Sequence, residues 1–523
     1  MKRKEVLGKH WAEEIVSRLS ELKKEVFVCA AGVSPSGSVH IGNFRDILTS
    51  DVVCRALKKD RRAELMFFWD DYDRFRKVPF GISESFSRYI GMPLSKVPDP
   101  FKCHKSYAEH FEKEFEKVLP ELGVKARIIY QAREYERNSY YREIKLALQK
   151  RKEIAEILSK FKTEKFSEGE IENYFPLQFY CGKCGKDSTK IISYDGENVL
   201  VYECKCGHGE KVDISKKHTG KLAWRVDWAA RWLHYDVSFE PGGKDHASPG
   251  GSYDTSKELA EKIFNFKAPV FQGYEFVGIR GKTSKISGSA GGGITPKNLL
   301  EIYEPELLRW IFTKTHPRRA ITLCFDSELI RQYDEFDSAV DSYFKNKLKG
   351  EEKSALVFSK TGKEFKKIRV PFRQVSSFGQ IAQGNFSELK KMFKRIGQKF
   401  NEENLKLRLE KSENWVRNFA PELQIKVRKE KNLDYFKRLG EEERGEIAKL
   451  VKEMDKNWNL EKLTYLVYEI PKKPDMDEEE KKRRQKEFFR NVYQMLIDKD
   501  TGPRLPTFLL ALGKEKVKKL LKI

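Results

Sequence analysis

Several things are scarce in this chain, and each scarcity narrows what it can be. No apolar run in its 523 residues approaches the roughly 18–20 residues of a membrane-spanning helix. The first stretch, Met1-Lys-Arg-Lys-Glu-Val-Leu-Gly, holds no apolar core of signal-peptide length, so a cytoplasmic protein is expected. Acidic residues are in deficit: 79 Asp+Glu stand against 102 Lys+Arg, a formal charge of +23. An excess of that size implies a polyanionic partner, RNA or DNA by default, with an anionic membrane surface as the competing explanation. Cysteine is sparse, at eight residues, and uneven. Cys29, Cys54 and Cys324 sit alone in apolar surroundings and read as small core residues. What is plentiful excludes disorder: 12% aromatic and 39% hydrophobic residues, over a length sufficient for two to four domains.

The most informative segment is Ser34-Pro-Ser-Gly-Ser-Val-His-Ile-Gly-Asn43. It follows the apolar run Val26-Phe-Val-Cys29, which reads as a buried strand. It opens a segment with Ile41, Phe44, Ile47, Leu48, Val52 and Leu57 at helical spacing. A strand, a Gly/Ser-rich turn and a helix N-terminus together hold phosphate, through free backbone N–H groups and the positive end of the helix dipole. About 240 residues on, Lys282-Thr-Ser-Lys-Ile-Ser-Gly-Ser289 forms a lysine- and hydroxyl-rich loop. Such a loop suits the growing negative charge of a departing pyrophosphate.

The chain alternates strand-like and helix-like patterns from residue 20 to 150. Leu65–Trp69 and Ala126–Tyr130 read as strands, and Ser106–Leu119 and Asn138–Leu158 as helices. This rhythm predicts an α/β fold with a doubly wound parallel sheet, whose ligands sit at the carboxyl ends of its strands. Residues 1–161 form its first half. Residues 162–219, with short strands and glycine turns, read as an insertion. The sheet is expected to resume at Leu222 and end near Gly281, within a second half spanning 220–293. Residues 294–325 read as a connecting domain, helical through Lys297–Thr315. After Asp326 amphipathic charged helices dominate, among them Arg331–Leu348, Asn385–Lys399, Glu442–Met454, Leu460–Glu469 and Glu478–Ile497.

Cys181-x2-Cys184 and Cys204-x-Cys206 can close a tetrahedral four-thiolate site, with His208 as an alternative to Cys206. Four protein ligands leave no open position, so a Zn²⁺ there is structural. A second group, Asp99, Cys103, His104 and His110, gathers further zinc-competent ligands within a dozen residues. Local hydrogen bonding of the two histidines is the competing reading.

His40-Ile-Gly-Asn43 resembles the "HIGH" motif of class I aminoacyl-tRNA synthetases, and Lys285-Ile-Ser-Gly-Ser289 resembles their "KMSKS" loop. Gly288 stands where a second lysine is usual, which makes Lys282 the alternative to Lys285. Trp69-Asp-Asp-Tyr-Asp-Arg74, Trp224–Trp232, Glu240-Pro-Gly-Gly-Lys-Asp-His246, Gly250-Gly-Ser-Tyr-Asp254 and Gly502-Pro-Arg-Leu-Pro506 resemble class I lysyl-tRNA synthetases in particular. In that family asparagine commonly ends the first motif. The resemblance implies a Rossmann-like catalytic domain with a zinc-binding insertion, followed by an α-helical anticodon-binding domain over 326–523. It also implies that lysine and ATP, with Mg²⁺, form lysyl-adenylate, and that tRNA(Lys) accepts the lysine on its terminal ribose, at the 2′-hydroxyl first.

The resemblance further implies that Ser36, Gly37, His40, Gly42, Asn43, Asp245, Lys285 and Ser287 contact ATP, with Asp245 on the ribose side. Gly32, Ser34 and His246 are placed on the lysine side. Lysine itself calls for carboxylates at its ammonium groups and apolar walls along its stem, and Asp71, Asp73, Trp224 and Tyr274 offer these. Pairing of the two acids with Arg74, Arg76 or Lys77 is the competing structural role. A glutamate-specific relative would need an arginine where this pocket is acidic and aromatic. A non-catalytic RNA-binding or regulatory relative, and a small-molecule nucleotidylyltransferase, are the rival functions.

Overall fold

The computed structural model describes residues 8–281, 293–456 and 458–522. Its centre is a five-stranded, all-parallel sheet in the order Val270–Tyr274, Val237–Gly243, β1 (Val26–Val33), β2 (Arg62–Trp69), β3 (Arg127–Tyr130). The strands are near-continuous apolar runs because helices cover both faces of such a sheet. β1, β2 and β3 step outward in one direction; the chain then returns to the opposite side of β1 with Val237–Gly243. This is the doubly wound arrangement expected, and β1 lies at its switch point. Pairing of β1 with Val237–Gly243 stops at Cys29 opposite Phe239, whereas each strand continues along its other neighbour. The sheet therefore splits at the carboxyl end of β1.

Helix α1 (Trp11–Leu19) is followed after β1 by α2 (Ile41–Leu57), in which 14 of 17 residues are buried. A helix enclosed on every side cannot be amphipathic, and its polar residues must find partners. Arg45 does so with five backbone carbonyls: those of Glu275 (2.5 Å), Phe276, His316, Pro317 and Arg319. Asp51 pairs with Arg55 at 2.7 Å and with the fully buried Arg309 at 2.6 Å.

Some elements depart from the sequence reading. The parallel sheet resumes at Val237, not Leu222, because Gly220–Leu222 pairs antiparallel with Leu177–Phe179. It ends at Tyr274, not Gly281. The carbonyls of Glu275 and Phe276 turn to Arg45, and Val277–Arg280 joins a separate two-stranded sheet. The segment expected as one helix over Asn138–Leu158 is two, Tyr141–Gln149 and Arg151–Lys160, broken at Lys150. Lys297–Thr315 likewise divides into Pro296–Leu300 and Pro305–Lys314, since a proline cannot continue the helix before it. Leu460–Glu469 and Glu478–Ile497 form with the bounds read from sequence.

The insertion carries a three-stranded antiparallel sheet of Thr189–Tyr194, Val199–Cys204 and Gly209–Asp213. Two compact units make up the chain. One comprises Met1–Leu300, Pro305–Leu323 and Lys345–Glu364; the other comprises Glu301–Glu304, Cys324–Phe344 and Phe365–Ile523. The second unit is helical, and a buried ion cluster lies inside it: Arg408 bonds Glu304 (2.6 Å) and Asp337 (2.5 Å), and Arg369 bonds Asp337 (2.7 Å). Among the described residues no helix is long and apolar enough to cross a membrane.

Candidate active site and metal centres

The first motif stands where the sheet splits. His40 is the N-cap of α2, and its Nδ1 accepts the Gly42 N–H at 3.1 Å. Glycine at 42 is what makes room, since a Cβ there would lie 2.9 Å from the imidazole. This geometry leaves Nε2 as the donor of a neutral ring. Restricted hydration holds the proton affinity of His40 below the ordinary histidine value, which keeps that tautomer at neutral pH. Tyr107 from α3 (Tyr107–Glu116) donates to the Ser36 carbonyl at 2.7 Å, and Ser38 donates to Glu114 at 2.7 Å, so α3 fixes the turn.

The second motif, Lys282, Lys285 and Ser287 included, lies outside the described residues. The chain after it does not. The Ile294 carbonyl accepts the Ile41 N–H at 3.0 Å, and a Cβ on Gly293 would stand 3.8 Å from the His40 Cβ. Gly293 and Ile294 are thus pinned to the helix start that carries the first motif.

Next to the split lie the acids and aromatic rings. Asp71 is buried, with Oδ1 accepting the Ala132 N–H at 2.8 Å, and Asp73 accepts from the buried Lys221. Neither pairs with Arg74, Arg76 or Lys77; Arg74 reaches Asp187 at 3.2 Å instead. Burial, reinforced by Asp70, pushes Asp71 up to about 7, although the Ala132 N–H opposes it. Trp224 stacks on Trp228 with centroids 5.2 Å apart, and His246 stands 6.0 Å from the one and 5.7 Å from the other. The His246 Nδ1 is buried without a hydrogen-bond partner among the described residues. Asp245 is exposed on the neighbouring turn. Tyr274 closes a cavity of about 500 Å³ together with Lys244, Pro249, Phe271 and Arg318. Gly32 lies on β1 with Phe68 so close that a Cβ would sit 3.2 Å from its carbonyl oxygen.

The sequence reading passed over several of the polar groups here. Arg231 bonds Asp70 at 2.9 Å and lies 3.5 Å from Asp227. Glu240 accepts the Trp232 indole N–H at 2.6 Å. Asp46 has one carboxylate oxygen buried without a partner, and burial together with Glu240 drives its pKa well up. The Asp227–Arg231 spacing of four, with Trp224, Trp228 and Trp232 on the same helix stripe, was the available signal. Asp46 offered none, since α2 has no polar face.

Two clusters have the donors and spacing of metal centres. The thiols of Cys181 and Cys206 are 3.7 Å apart, and those of Cys184 and Cys204 are 3.6 Å apart. The edge of a tetrahedron with Zn–S near 2.3 Å is about 3.8 Å. Cys206 completes this group, while His208 lies 3.6 Å from Glu210. In the other cluster the Cys103 sulfur is 3.1 Å from His104 Nδ1, 3.2 Å from His110 Nδ1 and 3.3 Å from Asp99. Asp99 folds the loop by accepting the backbone N–H groups of Phe101, Cys103 and His104 at 2.7–2.9 Å. Burial alone would raise the Asp99 carboxyl, but these donors hold it below its usual value. Both donor sets fit a four-coordinate ion.

The family model of class I tRNA synthetases of the lysine type matches residues 9–393. The lysine–tRNA ligase of Borreliella burgdorferi is 34% identical over 98% of this chain and 98% of its own length. That of Pyrococcus horikoshii is 35% identical over 98% of this chain and 99% of its own. A match of this extent, on a chain whose first motif stands at the switch point of a doubly wound sheet, leaves one assignment: the chain belongs to the class I lysyl-tRNA synthetase family.

Proposed function

We propose that the chain is an ATP-dependent lysine–tRNA ligase. The observation that carries this reading is the meeting of Gly293–Ile294 with His40–Ile41 at the split in the sheet. In the first step a lysine carboxylate oxygen bonds to the α-phosphorus of ATP, the α–β bridging P–O bond breaks, and pyrophosphate leaves with its charge. In the second, a hydroxyl of the terminal ribose of tRNA attacks the carbonyl carbon of lysyl-adenylate, loses its proton, and AMP departs. The chain positions reactants and offsets charge, with no covalent intermediate on the protein.

His40 donates from Nε2 to the phosphates, beside Asn43 and the backbone of Ser36, Gly37 and Gly42. Lys285, or Lys282 in its stead, neutralises the departing pyrophosphate, with Ser287 alongside and Mg²⁺ arriving with ATP. Asp245 takes the ribose hydroxyls. Lysine lies against Trp224, His246 and Tyr274, over Gly32 and Ser34. Asp71 and Asp73, already bonded within the protein, contribute negative potential. The four-cysteine and Asp99–His110 clusters hold Zn²⁺, which braces the insertion and the loop before α3. The helices after Asp326 contact the anticodon side of tRNA(Lys), and the formal charge of +23 suits that polyanion.

Lysine-dependent ATP–pyrophosphate exchange tests the reading. Exchange that appears with lysine and not with glutamate is expected; a chain that binds tRNA without catalysing exchange overturns it. Lys285→Ala is expected to slow exchange on the order of 10²-fold with a smaller effect on lysine affinity, since the lysine acts on charge that develops in the transition state. If Lys282→Ala does this damage instead, Lys282 is the acting residue.

A further inference from the structure

We propose that Glu240 sets the preference of the amino-acid pocket for a cation, by holding the tryptophan wall and by offsetting the charge of Arg231 behind it. The inference rests on the ligase reading and names what determines charge selectivity on its lysine side. Glu240 acts through these groups rather than by touching the substrate, which makes it a positioning residue.

Trp224, Trp228 and Trp232 follow at intervals of four on one helix, Trp224–His234, so their rings form a single stripe. The stripe runs from the surface inward: Trp224 is 37% exposed, Trp228 4%, and Trp232 is fully buried. Buried indole N–H groups need an acceptor, and Glu240 supplies it. It stands in Val237–Gly243 one residue past Phe239, the last position paired with β1, and so at the split in the sheet. Its Oε2 accepts the Trp232 N–H at 2.6 Å, and the Trp228 indole donates to the same carboxylate. Trp228 in turn carries the exposed ring of Trp224, stacked on it with 14° between the planes.

For a cationic substrate this wall has a liability. The buried guanidinium of Arg231 lies 5.7 Å from the centre of the Trp224 ring. From there its charge repels an ammonium group on the same wall and attracts a carboxylate. Asp70 at 2.9 Å and Asp227 at 3.5 Å offset part of that charge. Glu240 adds a third carboxylate within the field of Arg231, which leaves the cluster net negative. Burial raises the Glu240 carboxyl above its ordinary value, but Arg231 and the two indole donors act against this and favour the charged form. Removing that one charge lets the field of Arg231 through at Trp224 without displacing an atom of the wall.

Two variants of the full chain test this. Glu240→Gln keeps the length and an oxygen acceptor but removes the charge, whereas Glu240→Asp keeps the charge and shortens the reach. Three quantities are read: kcat and KM for lysine in exchange, KM for ATP, and the inhibition constant of the lysine analogue whose side-chain ammonium is replaced by a hydroxyl. For Glu240→Gln the KM for lysine is expected to rise about tenfold, the scale of one charge at a partly buried site. Its kcat, KM for ATP and inhibition constant for the analogue are expected to stay within about twofold of the wild type, a split that separates charge from structure. Glu240→Asp keeps the preference for lysine over the analogue. A glutamine variant that matches the wild type would overturn the proposal by reducing Glu240 to a neutral hydrogen-bond acceptor. So would equal weakening of lysine and analogue, the mark of a disordered wall. Near-ultraviolet circular dichroism of the tryptophans shows which variants keep the stack, and an aspartate variant that keeps it yet loses the preference would overturn the proposal whatever the glutamine variant does. A wild type without lysine-dependent exchange would instead overturn the ligase reading.

Discussion

At the scale of single residues, the groups that sequence made legible are those whose partners are close in the chain. His40, Gly42 and Asn43 occupy one turn, and the role of glycine at 42, clearing a neighbouring imidazole, is local. Arg45 and Asp46 were not legible. Arg45 finds its carbonyl partners 230–274 residues away, and no periodicity announces such a meeting. Glu112 on α3 is another case, with titration as its signature. It is 4% exposed, and its Oε1 has no hydrogen-bond partner among the described residues. Burial, then the charges of Asp71 and Glu116, push it up to about 8. With a folded value raised above the unfolded one, its contribution to stability is complete below pH 4.5 and declines until about pH 8. The decline is at most about 1.4 kcal/mol per pH unit. Glu112→Gln lacks this decline. Its stability relative to the wild type, from denaturant midpoints, should therefore be greater at pH 8.5 than at pH 5. An equal difference at both pH values would show that the carboxyl ionises freely in the folded chain.

At the scale of elements, β1 and β2 were legible because strands buried on both faces are plain apolar runs. The breaks in the helices were harder to see, since Lys150 is neither proline nor glycine and tertiary packing sets the bend. The segments that carry the two donor clusters are short, although Leu200, Tyr202, Val212 and Ile214 of the insertion also pack into a shared hydrophobic core. The sheet of the insertion has three short strands, and its middle strand, Val199–Cys204, ends on a thiol of the four-cysteine group. The loop at Asp99 is organised by one carboxylate and its three backbone donors. Zinc binding in such segments is folding free energy. Metal analysis of the purified chain should find two zinc ions, with one lost in Cys206→Ser and the other in His104→Ala/His110→Ala. A strong chelator should lower amide protection across 181–213, most around the four cysteines, and leave that of β1 and β2 in place. A chain with one zinc, held by the cysteines alone, removes the second centre. Full protection of 181–213 after chelation would show that its fold does not depend on the ion.

At the scale of the whole molecule, composition and contact divide the chain differently. Charge and helical periodicity change character after Asp326, and that change is what a sequence displays. Contact places Lys345–Glu364 in the unit that holds the sheet, and no local pattern in that stretch says so. The returning segment completes the first unit through specific bonds. Arg309, fully buried, donates to the Phe358 carbonyl at 2.9 Å, and Thr313 donates to that of Ala355 at 2.8 Å. Arg55 donates to the Lys360 carbonyl at 2.5 Å, and Ser354 bonds Glu13 at 2.9 Å. Gly123 approaches Thr361 so closely that a Cβ would lie 2.6 Å from its backbone. A chain cut after Phe325 loses these bonds, at about 0.5–1.5 kcal/mol for each, although Arg309 keeps Asp51 and Thr313 keeps the Trp310 carbonyl. A chain cut after Glu364 keeps them. The shorter fragment should unfold or aggregate, whereas residues 1–364 should retain part of the lysine-dependent exchange, and neither should charge tRNA. Affinity of the full chain for tRNA should fall steeply between 50 and 200 mM salt, as phosphate neutralisation requires. Equal exchange by the two fragments would show that the sheet-bearing unit stands without its returning segment. Normal charging by residues 1–364 would show that the helices beyond are not needed to hold tRNA.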